Sequence, residues 1–427
     1  MIGTTVEYYD FFVYSIAAVW VFPILFFPKG NPTTAQLASL ATFGLAFLSR
    51  PLGSLLFGHF GDRIGRKSTL VATMTMMGVG TFLIGLLPTY QQIGVAATVM
   101  LALLRILQGI ALGGEWCGAT LLTVETAPRG QRAWSAMWAQ LGSPMGFLIA
   151  NAVFVAILSR LPVSAGRPDV GGAFLTWGWR IPFLFSAVMI AIGLYARVRL
   201  TKTPVFAGAV ERGESVRAPV AEVFRVAFGR LVLGSFLMLA SYTLFYIVVA
   251  WALSYATAQR PPAGHGLGYD YLHFIKLQMI AVLLYAAMVP VGSRLADRFG
   301  RRRTLFAVLG SVIAFGAAFP VLLAPGGPVL LFLCIGMALT GLAAGAMGPV
   351  LPELFPTAVR YTGSGISYSM ASILGAAIAP FIALWLSSRY GVAAVGGYLA
   401  VAASVSLTAA VLMPETREES LDMVSPL

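Results

Sequence analysis

A few ionisable residues stand inside long apolar stretches of this chain, among them Glu7, Asp10, Arg105 and Glu115. Burying an ionised side chain among apolar groups is costly unless the charge is paired, so each such residue is a candidate for function. Glu7 and Asp10 are three residues apart, which places them on one face if their segment is helical. Carboxylates and a guanidinium group in apolar surroundings can carry protons and bind an anion.

Arg105 is the candidate anchor for an anionic substrate. A guanidinium group binds a planar carboxylate through two parallel hydrogen bonds and stays protonated at working pH. The alternative is a structural Arg105 that pairs with a backbone carbonyl group or with Glu115. Arg50, in an earlier apolar stretch, is interpreted as a structural charge that pairs with Asp10 or Glu7.

Three carboxyl groups are candidates for proton coupling: Asp10 first, Glu115 second and Glu7 third. A carboxyl group that alternates between a dry environment and the neighbourhood of an arginine binds a proton in the first and releases it in the second. Glu7 could instead be an interfacial charge, and Glu115 could belong to a helix-packing element with Gly113 and Gly114. Protons are the expected coupling ion, and no cofactor or metal site is expected.

Polar and aromatic residues at helical spacing are candidates for lining a substrate cavity. Gln140 and Asn151 share one stripe of a predicted helix, and amide groups that faced lipid would be costly. The further candidates are Tyr14, Gln108, Trp138, Tyr242, Tyr246 and Tyr368. For each aromatic residue by itself, helix packing or an interfacial aromatic belt is the alternative.

The composition indicates that the elements carrying these residues are helices in lipid. The 427 residues are 58% hydrophobic and 10% charged, with mean hydropathy +0.84, whereas soluble domains contain about 25% charged residues. Crossing a bilayer takes about 20 apolar residues per helix. Twelve such runs lie near 3–26, 35–57, 69–88, 97–122, 134–157, 181–199, 230–256, 274–292, 304–324, 329–350, 365–387 and 392–413.

The net charge of +12 is explained by topology. If the N-terminus is placed inside the cell, most Lys and Arg residues fall on the cytoplasmic side, as the positive-inside rule requires. We therefore expect a multi-pass protein of the cell inner membrane with both termini cytoplasmic and with no nucleic-acid partner. The abrupt apolar start at Met1 suggests that a short cytoplasmic segment is missing. Cys117 and Cys334 lie in apolar runs and offer no disulfide framework.

The longest polar interval divides the chain into two predicted halves. Residues 199–229 are rich in charge and too polar to span lipid, so they are interpreted as a cytoplasmic linker between six-helix bundles at 1–198 and 230–427. Two internal repeats support a duplication. Asp62-Arg63-x-Gly65-Arg66-Lys67 matches Asp297-Arg298-x-Gly300-Arg301-Arg302, and Glu125-x2-Pro128-x3-Arg132 matches Glu353-x2-Pro356-x3-Arg360.

These repeated charges are predicted to form a gate on the cytoplasmic face, with a plain positive-inside anchor as the alternative. Asp62 should accept hydrogen bonds from the amino end of a neighbouring helix, where negative charge is favoured. Arg63, Arg66 and Arg132 are expected to bridge to Glu125 and to the opposite half. As surface pairs they would contribute about 0–1 kcal/mol each, which suits a gate that breaks in every cycle.

The repeated D-R-x-G-R motif and the layout of two six-helix halves resemble the major facilitator superfamily. Within the superfamily, the chain is most similar to the metabolite:proton symporter branch. That branch includes the bacterial shikimate permease and carriers of α-ketoglutarate, citrate and proline or betaine. The matching segments are VEYYDFFVY (6–14), SRPLGSLLFGHFGDRIGRK (49–67), LQGIALGGEWCGA (107–119) and WGWRIPF (177–183). Arg105, Gln108 and Gly109 resemble the fourth-helix motif that the superfamily uses in proton coupling or substrate contact. One departure is Ser293, which stands where the first repeat has Gly58.

Residues and resemblance together predict a monomeric proton-coupled symporter that imports a small organic acid, shikimate-like or related, by alternating access. A symporter of compatible solutes or of dicarboxylates is the alternative, and a passive facilitator or membrane sensor on the same fold is more remote. An enzyme or ATP-driven pump is not expected, because no phosphate-binding loop or metalloprotease motif occurs.

Overall fold

The computed structural model describes residues 1–27, 32–128, 130–161, 172–198, 219–259 and 266–417, and in these ranges the chain is α-helical without a β-strand. Twelve helical segments, α1 to α12, run through this part of the chain. In order they are Ile2–Trp20, Pro32–Arg63, Arg66–Leu86, Val95–Glu125, Arg132–Leu158, Phe174–Arg197, Phe228–Thr257, Tyr271–Phe299, Arg301–Ala317, Val329–Leu354, Thr357–Tyr390 and Val392–Leu412.

The twelve helices coincide with the twelve predicted apolar runs, and nine of those described are long and apolar enough to cross a membrane. The other three are α1, which carries Glu7 and Asp10, the long α2, and α9 with 17 residues. Most of the predicted linker, residues 199–218, lies outside the described residues, and Pro219–Val226 forms a short helix before α7.

The repeated motifs are tight turns between long helices. Asp62 and Arg63 belong to the last turn of α2, and Arg66 begins α3. Gly65 has φ +118° and its counterpart Gly300 has φ +95°, a region in which a Cβ atom is unfavourable. Glycine at this position therefore lets each turn reverse the chain within two residues.

Helix packing repeats across the two halves, as duplication requires. In the first half α2 packs on α4 and α3 packs on α6, and in the second half α8 packs on α10 and α9 on α12. Between the halves, α2 contacts α11 and α5 contacts α8. These two contacts are equivalent under the repeat, so each half presents the same pair of helices to its partner.

Small residues bring the paired helices into backbone contact. A Cβ atom added at Gly109 or Gly113 of α4 would overlap the backbone of α2 at Ala46 or Arg50, and one added at Gly341 of α10 would overlap the Tyr285 carbonyl oxygen of α8. Close approach through small residues is the common way for helices to associate in lipid. These glycines therefore allow the helix axes to approach closely.

The substitution Gly113→Ala is expected to destabilise the protein, because the added methyl group meets backbone that cannot move aside. Overpacking of this kind costs about 1–3 kcal/mol. Gly310→Ala is the matched control: nothing lies within 4 Å of a Cβ atom there. Thermal unfolding in detergent should show a lower midpoint for the first variant and an unchanged or higher midpoint for the second, and equal midpoints would contradict this account.

Candidate functional site

Two equivalent charged clusters join the halves at one end of the bundle. The first latch consists of Asp62, Arg66, Glu125 and Arg360. Arg66 donates to Asp62 at 2.9 Å and to Glu125 at 3.1 Å, and Arg360 lies 3.8 Å from the Glu125 carboxylate. Because Arg360 begins the main helix of α11, it brings a charge of the second half to a cluster of the first.

Asp62 also holds the amino end of α11 directly. Its carboxylate accepts the backbone N–H groups of Tyr361 at 3.2 Å and Thr362 at 3.0 Å, and the Thr362 hydroxyl at 2.8 Å. The amino end of a helix carries unpaired N–H donors and favours negative charge. The aspartate thus fastens α2 of one half to α11 of the other.

The second latch consists of Asp297, Arg301, Glu353 and Arg132 and repeats this arrangement. Asp297 accepts the N–H groups of Ala133 at 3.1 Å and of the following residue at 2.9 Å, at the amino end of α5. Arg301 donates to Asp297 at 2.9 Å and to both Glu353 oxygens at 2.9 and 3.1 Å. Arg132 lies 3.4 Å from Glu353 and joins the halves a second time.

Two expectations about these charges are wrong. The pairs are buried and not at the surface: the side chains of the Arg66–Glu125 pair are 2% and 0% exposed. Arg63 does not bridge to Glu125 but is exposed and contacts His59 at 3.2 Å, because it lies on the outer side of the last turn of α2. Of the remaining basic residues of the two turns, Lys67 is half-buried, and Arg298 is exposed and lies over the Phe299 ring.

A polar seam continues from the latches into the bundle. The hydroxyl oxygens of Ser54 and Ser369 lie 2.5 Å apart between α2 and α11. The Tyr361 hydroxyl donates to the Gly114 carbonyl oxygen, and the Cys117 thiol donates to the Tyr361 carbonyl oxygen at 3.2 Å. The two halves are therefore closed against each other from the latches to this depth, and Cys117 is 1% exposed.

Beyond the seam lies a central cavity, with an empty volume of about 590 Å³, between the two halves. Arg50 is the charged side chain among its lining residues, and the others supply hydroxyl, amide and aromatic groups. They include four predicted cavity residues, Gln140, Tyr242, Tyr246 and Tyr368. Residues from both halves form the wall, so their relative motion changes the cavity.

Arg50 lies at the wall of this cavity and is only 4% exposed. Its guanidinium carbon lies 4.5 Å from the centre of the Phe47 ring, and its Nε atom has no hydrogen-bond partner. The expected structural pairing of Arg50 with Asp10 or Glu7 is absent among the ion pairs of the described residues. A charged donor at a polar cavity is well suited to an anion.

Arg105 and its neighbours lie behind this cavity. The Arg105 guanidinium group packs 3.9 Å from the centre of the Tyr14 ring and donates to Gln108 at 3.0 Å. None of Arg105, Gln108 and Tyr14 lines either of the two larger cavities of the described bundle. The structure thus places Arg50, and not Arg105, where a substrate could reach a guanidinium group.

Arg105 is connected to Thr81 of α3 through Gln108. Gln108 donates to the Thr81 hydroxyl at 2.8 Å, and the Thr81 hydroxyl donates to the Met77 carbonyl oxygen at 3.1 Å. Asp10 accepts a hydrogen bond from Ser186 at 2.6 Å. Arg105 and Asp10 therefore both have buried hydrogen-bond partners within the first half.

The three candidate carboxyl groups share one small cavity. Glu7, Asp10 and Glu115 line an empty volume of about 230 Å³ between α1, α3 and α4. Glu115 pairs with Arg197 of α6 and accepts a hydrogen bond from Thr73 at 2.5 Å. The alternative pairing of Glu115 with Arg105 is not found.

A third, larger cavity extends from the centre towards the end of the bundle opposite the latches. Its empty volume is about 1540 Å³, and it is lined by Asn151, Gln278, Thr257 and many aromatic residues. Asn151 is therefore a cavity residue, as predicted. Trp138 is not: it is 49% exposed on the outer surface, because it lies two residues from Gln140 and points to the other side of α5.

Several cavity residues were not found from the sequence. Trp116 stacks on Tyr368 with ring centres 3.7 Å apart, and Tyr8 lies 3.2 Å from the Tyr368 hydroxyl. The signals were present, because Trp116 belongs to the GGEW segment and Tyr8 stands between Glu7 and Asp10. Arg197, which is the partner of Glu115 and not a cavity residue, gave no such signal, since it ends an apolar run and resembles a cytoplasmic anchor.

Two six-helix halves that enclose a central cavity and close at one end define a membrane transporter. The chain belongs to the Major Facilitator Superfamily, whose family model matches residues 1–373 and 261–422. It is a multi-pass membrane protein that transports a metabolite and is not an enzyme.

Individual relatives narrow the comparison. The chain is 49% identical over 424 residues to the inner membrane metabolite transport protein YhjE of Escherichia coli (strain K12), covering 99% of this chain and 94% of that protein. It is 35% identical to the shikimate transporter of the same organism, covering 97% and 93%. The proton:xylose symporter XylE bound to 6-bromo-6-deoxy-D-glucose has the same fold, with TM-score 0.74, 18% identity and coverage of 99% and 96%.

Proposed function

We propose that this protein is a proton-coupled symporter that imports a small organic acid, shikimate-like or a related carboxylate, by alternating access. The observation that carries the proposal is Arg50 at the wall of the central cavity. A carboxylate there can accept from the guanidinium group while its hydroxyl groups meet Gln140 and the cavity tyrosines. The 35% identical shikimate transporter supports this class of cargo.

Proton coupling is assigned to the carboxyl groups of the first half. Asp10, Glu115 and Glu7 surround one cavity between α1, α3 and α4, and Tyr8, also on α1, lines the central cavity. Buried ionisable groups in membrane helices characteristically mark proton relays.

The two latches are proposed as the cytoplasmic gate. Most basic residues fall on the latch side of the predicted topology, and the positive-inside rule supports a cytoplasmic position for that side and for both termini. Each latch joins α2 to α11 or α8 to α5, so opening towards the cytoplasm requires both to break. The chain in this conformation is closed to the cytoplasm, and the large third cavity belongs to the outer side. The arrangement is complete within one chain, which supports a monomer.

The variant Arg50→Gln is expected to lose binding of a carboxylate. Removing a charged donor from a site with no other cation in its wall should weaken binding by about tenfold to a hundredfold, which corresponds to one hydrogen bond to a charged group. Binding of shikimate to the purified protein can be measured by calorimetry. Arg105→Gln is the matched control and should weaken binding less. A larger loss of binding in Arg105→Gln would show that Arg105, and not Arg50, binds the carboxylate.

A compatible solute such as a betaine is the second candidate cargo. The stacked Trp116 and Tyr368 and the other aromatic walls of the central cavity favour it, since aromatic faces bind quaternary ammonium groups. Its carboxylate would still use Arg50. Competition between glycine betaine and shikimate in the same binding measurement discriminates between the two cargo classes.

A further inference from the structure

The buried charges of the first half are balanced. Away from the two latches, the buried ionisable residues of the described helices other than tyrosine and cysteine are three arginines and three carboxyl residues: Arg50, Arg105, Arg197, Glu7, Asp10 and Glu115. With all six ionised, this set has no net charge. Each latch likewise contains two arginines and two carboxylates.

Neutrality of such a set has an energetic reason. An uncompensated ion in a medium of low dielectric constant is expensive, whereas a compensated set is tolerated. A cargo carboxylate that binds Arg50 brings a fourth negative charge into the set. One proton taken up by one of the three carboxyl groups restores the balance, and a zwitterionic cargo requires none.

On the basis of the proposed function, we propose that a monocarboxylate is carried with one proton, that the transport step is electroneutral, and that Glu7 holds the proton. Glu7 adds the proton from the outer solution when the cargo carboxylate takes its place beside Arg50. The neutral acid and the paired cargo then move together, and Glu7 releases the proton to the cytoplasm when the cargo leaves.

The surroundings of the three carboxyl groups select Glu7. Glu115 is engaged by Arg197 and Thr73, and Asp10 by Ser186. The Oε2 atom of Glu7 and the Oδ2 atom of Asp10 are both buried without a hydrogen-bond partner, but Asp10 is held through its other oxygen by Ser186. Glu7 also precedes Tyr8, which lines the central cavity.

Glu7 is the carboxyl group placed to respond to events at Arg50. The charged and titratable groups that act on Glu7 or share its cavity come from five helices: Arg50 of α2, Arg197 of α6, Glu115 of α4, Asp10 of α1 and Tyr242 of α7. When a cargo anion neutralises Arg50, the carboxylate of Glu7 loses the cation that faces it from the cavity side. A proton on Glu7 then replaces that lost compensation.

The test measures the uptake of labelled shikimate by the unaltered full chain in proteoliposomes, under two separate driving forces. With the membrane potential clamped at zero, an acidic exterior of about one pH unit should support about tenfold accumulation, because one proton accompanies each anion. With equal pH on both sides, an interior-negative potential of about 100 mV should change accumulation by less than about twofold. A second proton would instead make it rise by up to about 50-fold, since each charge gains about 2.3 kcal/mol.

The variant Glu7→Gln tests whether Glu7 carries the proton, independently of how many protons accompany the cargo. It should lose accumulation driven by the pH gradient and keep the exchange of labelled for unlabelled shikimate, because exchange needs no net protonation. Glu222→Gln, in the short helix before α7, is the control and should behave as the unaltered protein. Accumulation that persists in Glu7→Gln would overturn the role of Glu7.

The other outcomes are equally decisive. A marked response of the unaltered protein to membrane potential would overturn electroneutral transport with one proton, and leave the proposed symporter standing. Exchange without any response to the pH gradient would overturn the inference and the proposed proton coupling. The proposal that the protein carries an organic acid would still stand. Absence of both uptake and exchange would refute the proposed cargo, and the inference with it.

Discussion

The substitution Asp62→Asn should shift the protein towards a conformation that is open at the latch face. The carboxylate of Asp62 accepts two backbone N–H groups and a hydroxyl group from α11, as well as Arg66. An amide has a single acceptor oxygen and no charge, so hydrogen bonds to a charged group worth about 1.5–3 kcal/mol are lost. Arg66 keeps Glu125 as a partner, so the fold should survive.

Cys117 provides a native reporter of this opening, because it is buried in the seam and its thiol donates to the Tyr361 carbonyl oxygen. In a Cys334→Ser background, alkylation of Cys117 by a maleimide should be about tenfold to a hundredfold faster in Asp62→Asn, as the loss above implies. Asp270→Asn is the matched control. Asp270 also caps a helix amino end, that of α8, but it lies at the end of α8 that is far from the latches. Equal rates in all three proteins would contradict the gate.

The substitution Arg197→Met should produce the largest loss of stability among the charge variants. Glu115 is 2% exposed and pairs with Arg197, so removing the arginine leaves a buried carboxylate without its cation. Breaking a buried pair in this way costs about 3–5 kcal/mol, whereas replacing both partners by apolar residues is often nearly neutral. We therefore expect a clear fall in the midpoint of unfolding for Arg197→Met and recovery of most of it in Arg197→Met/Glu115→Met.

Thermal unfolding of the purified protein in detergent measures this effect. Arg225→Met is the matched control, because Arg225 is 79% exposed and its contact with Glu222 is 3.7 Å long, so its removal should leave the midpoint unchanged. If the double variant is as unstable as Arg197→Met, the pair is not the source of the loss. The activity of the double variant would then show separately whether Glu115 takes part in proton coupling.

Much of the fold could be predicted because it depends on local patterns of residue types along the chain. The twelve apolar runs predict twelve helices, since each run is long enough for the bilayer, and all twelve appear in the described part of the chain. The repeated D-R-x-G-R motif predicts the duplication. The glycines of α4 and α10 predict the close helix pairs, because a residue without a side chain is needed wherever backbones touch.

The candidate site was predicted less well. The direction in which a side chain faces depends on the rotation of its helix and on the packing of its neighbours, which a sequence does not record. Arg50 and Arg105 are both single arginines in apolar runs, and neither run shows which way its arginine side chain faces. Packing turns Arg50 to the central cavity and places Arg105 under the Tyr14 ring. Trp138 and Gln140 are two residues apart and therefore face opposite ways, so only one of them can line the cavity.

The sequence by itself determined that this chain is a duplicated helical membrane protein and which few charges it keeps in lipid, because hydrophobicity and repetition are properties of residue order. Only the tertiary structure decided which charges meet. Asp62 joins the amino end of α11 about 300 residues away, and Glu115 finds Arg197 on α6. These partners are distant in the chain, and the balance of buried charge that they create exists only once the helices pack.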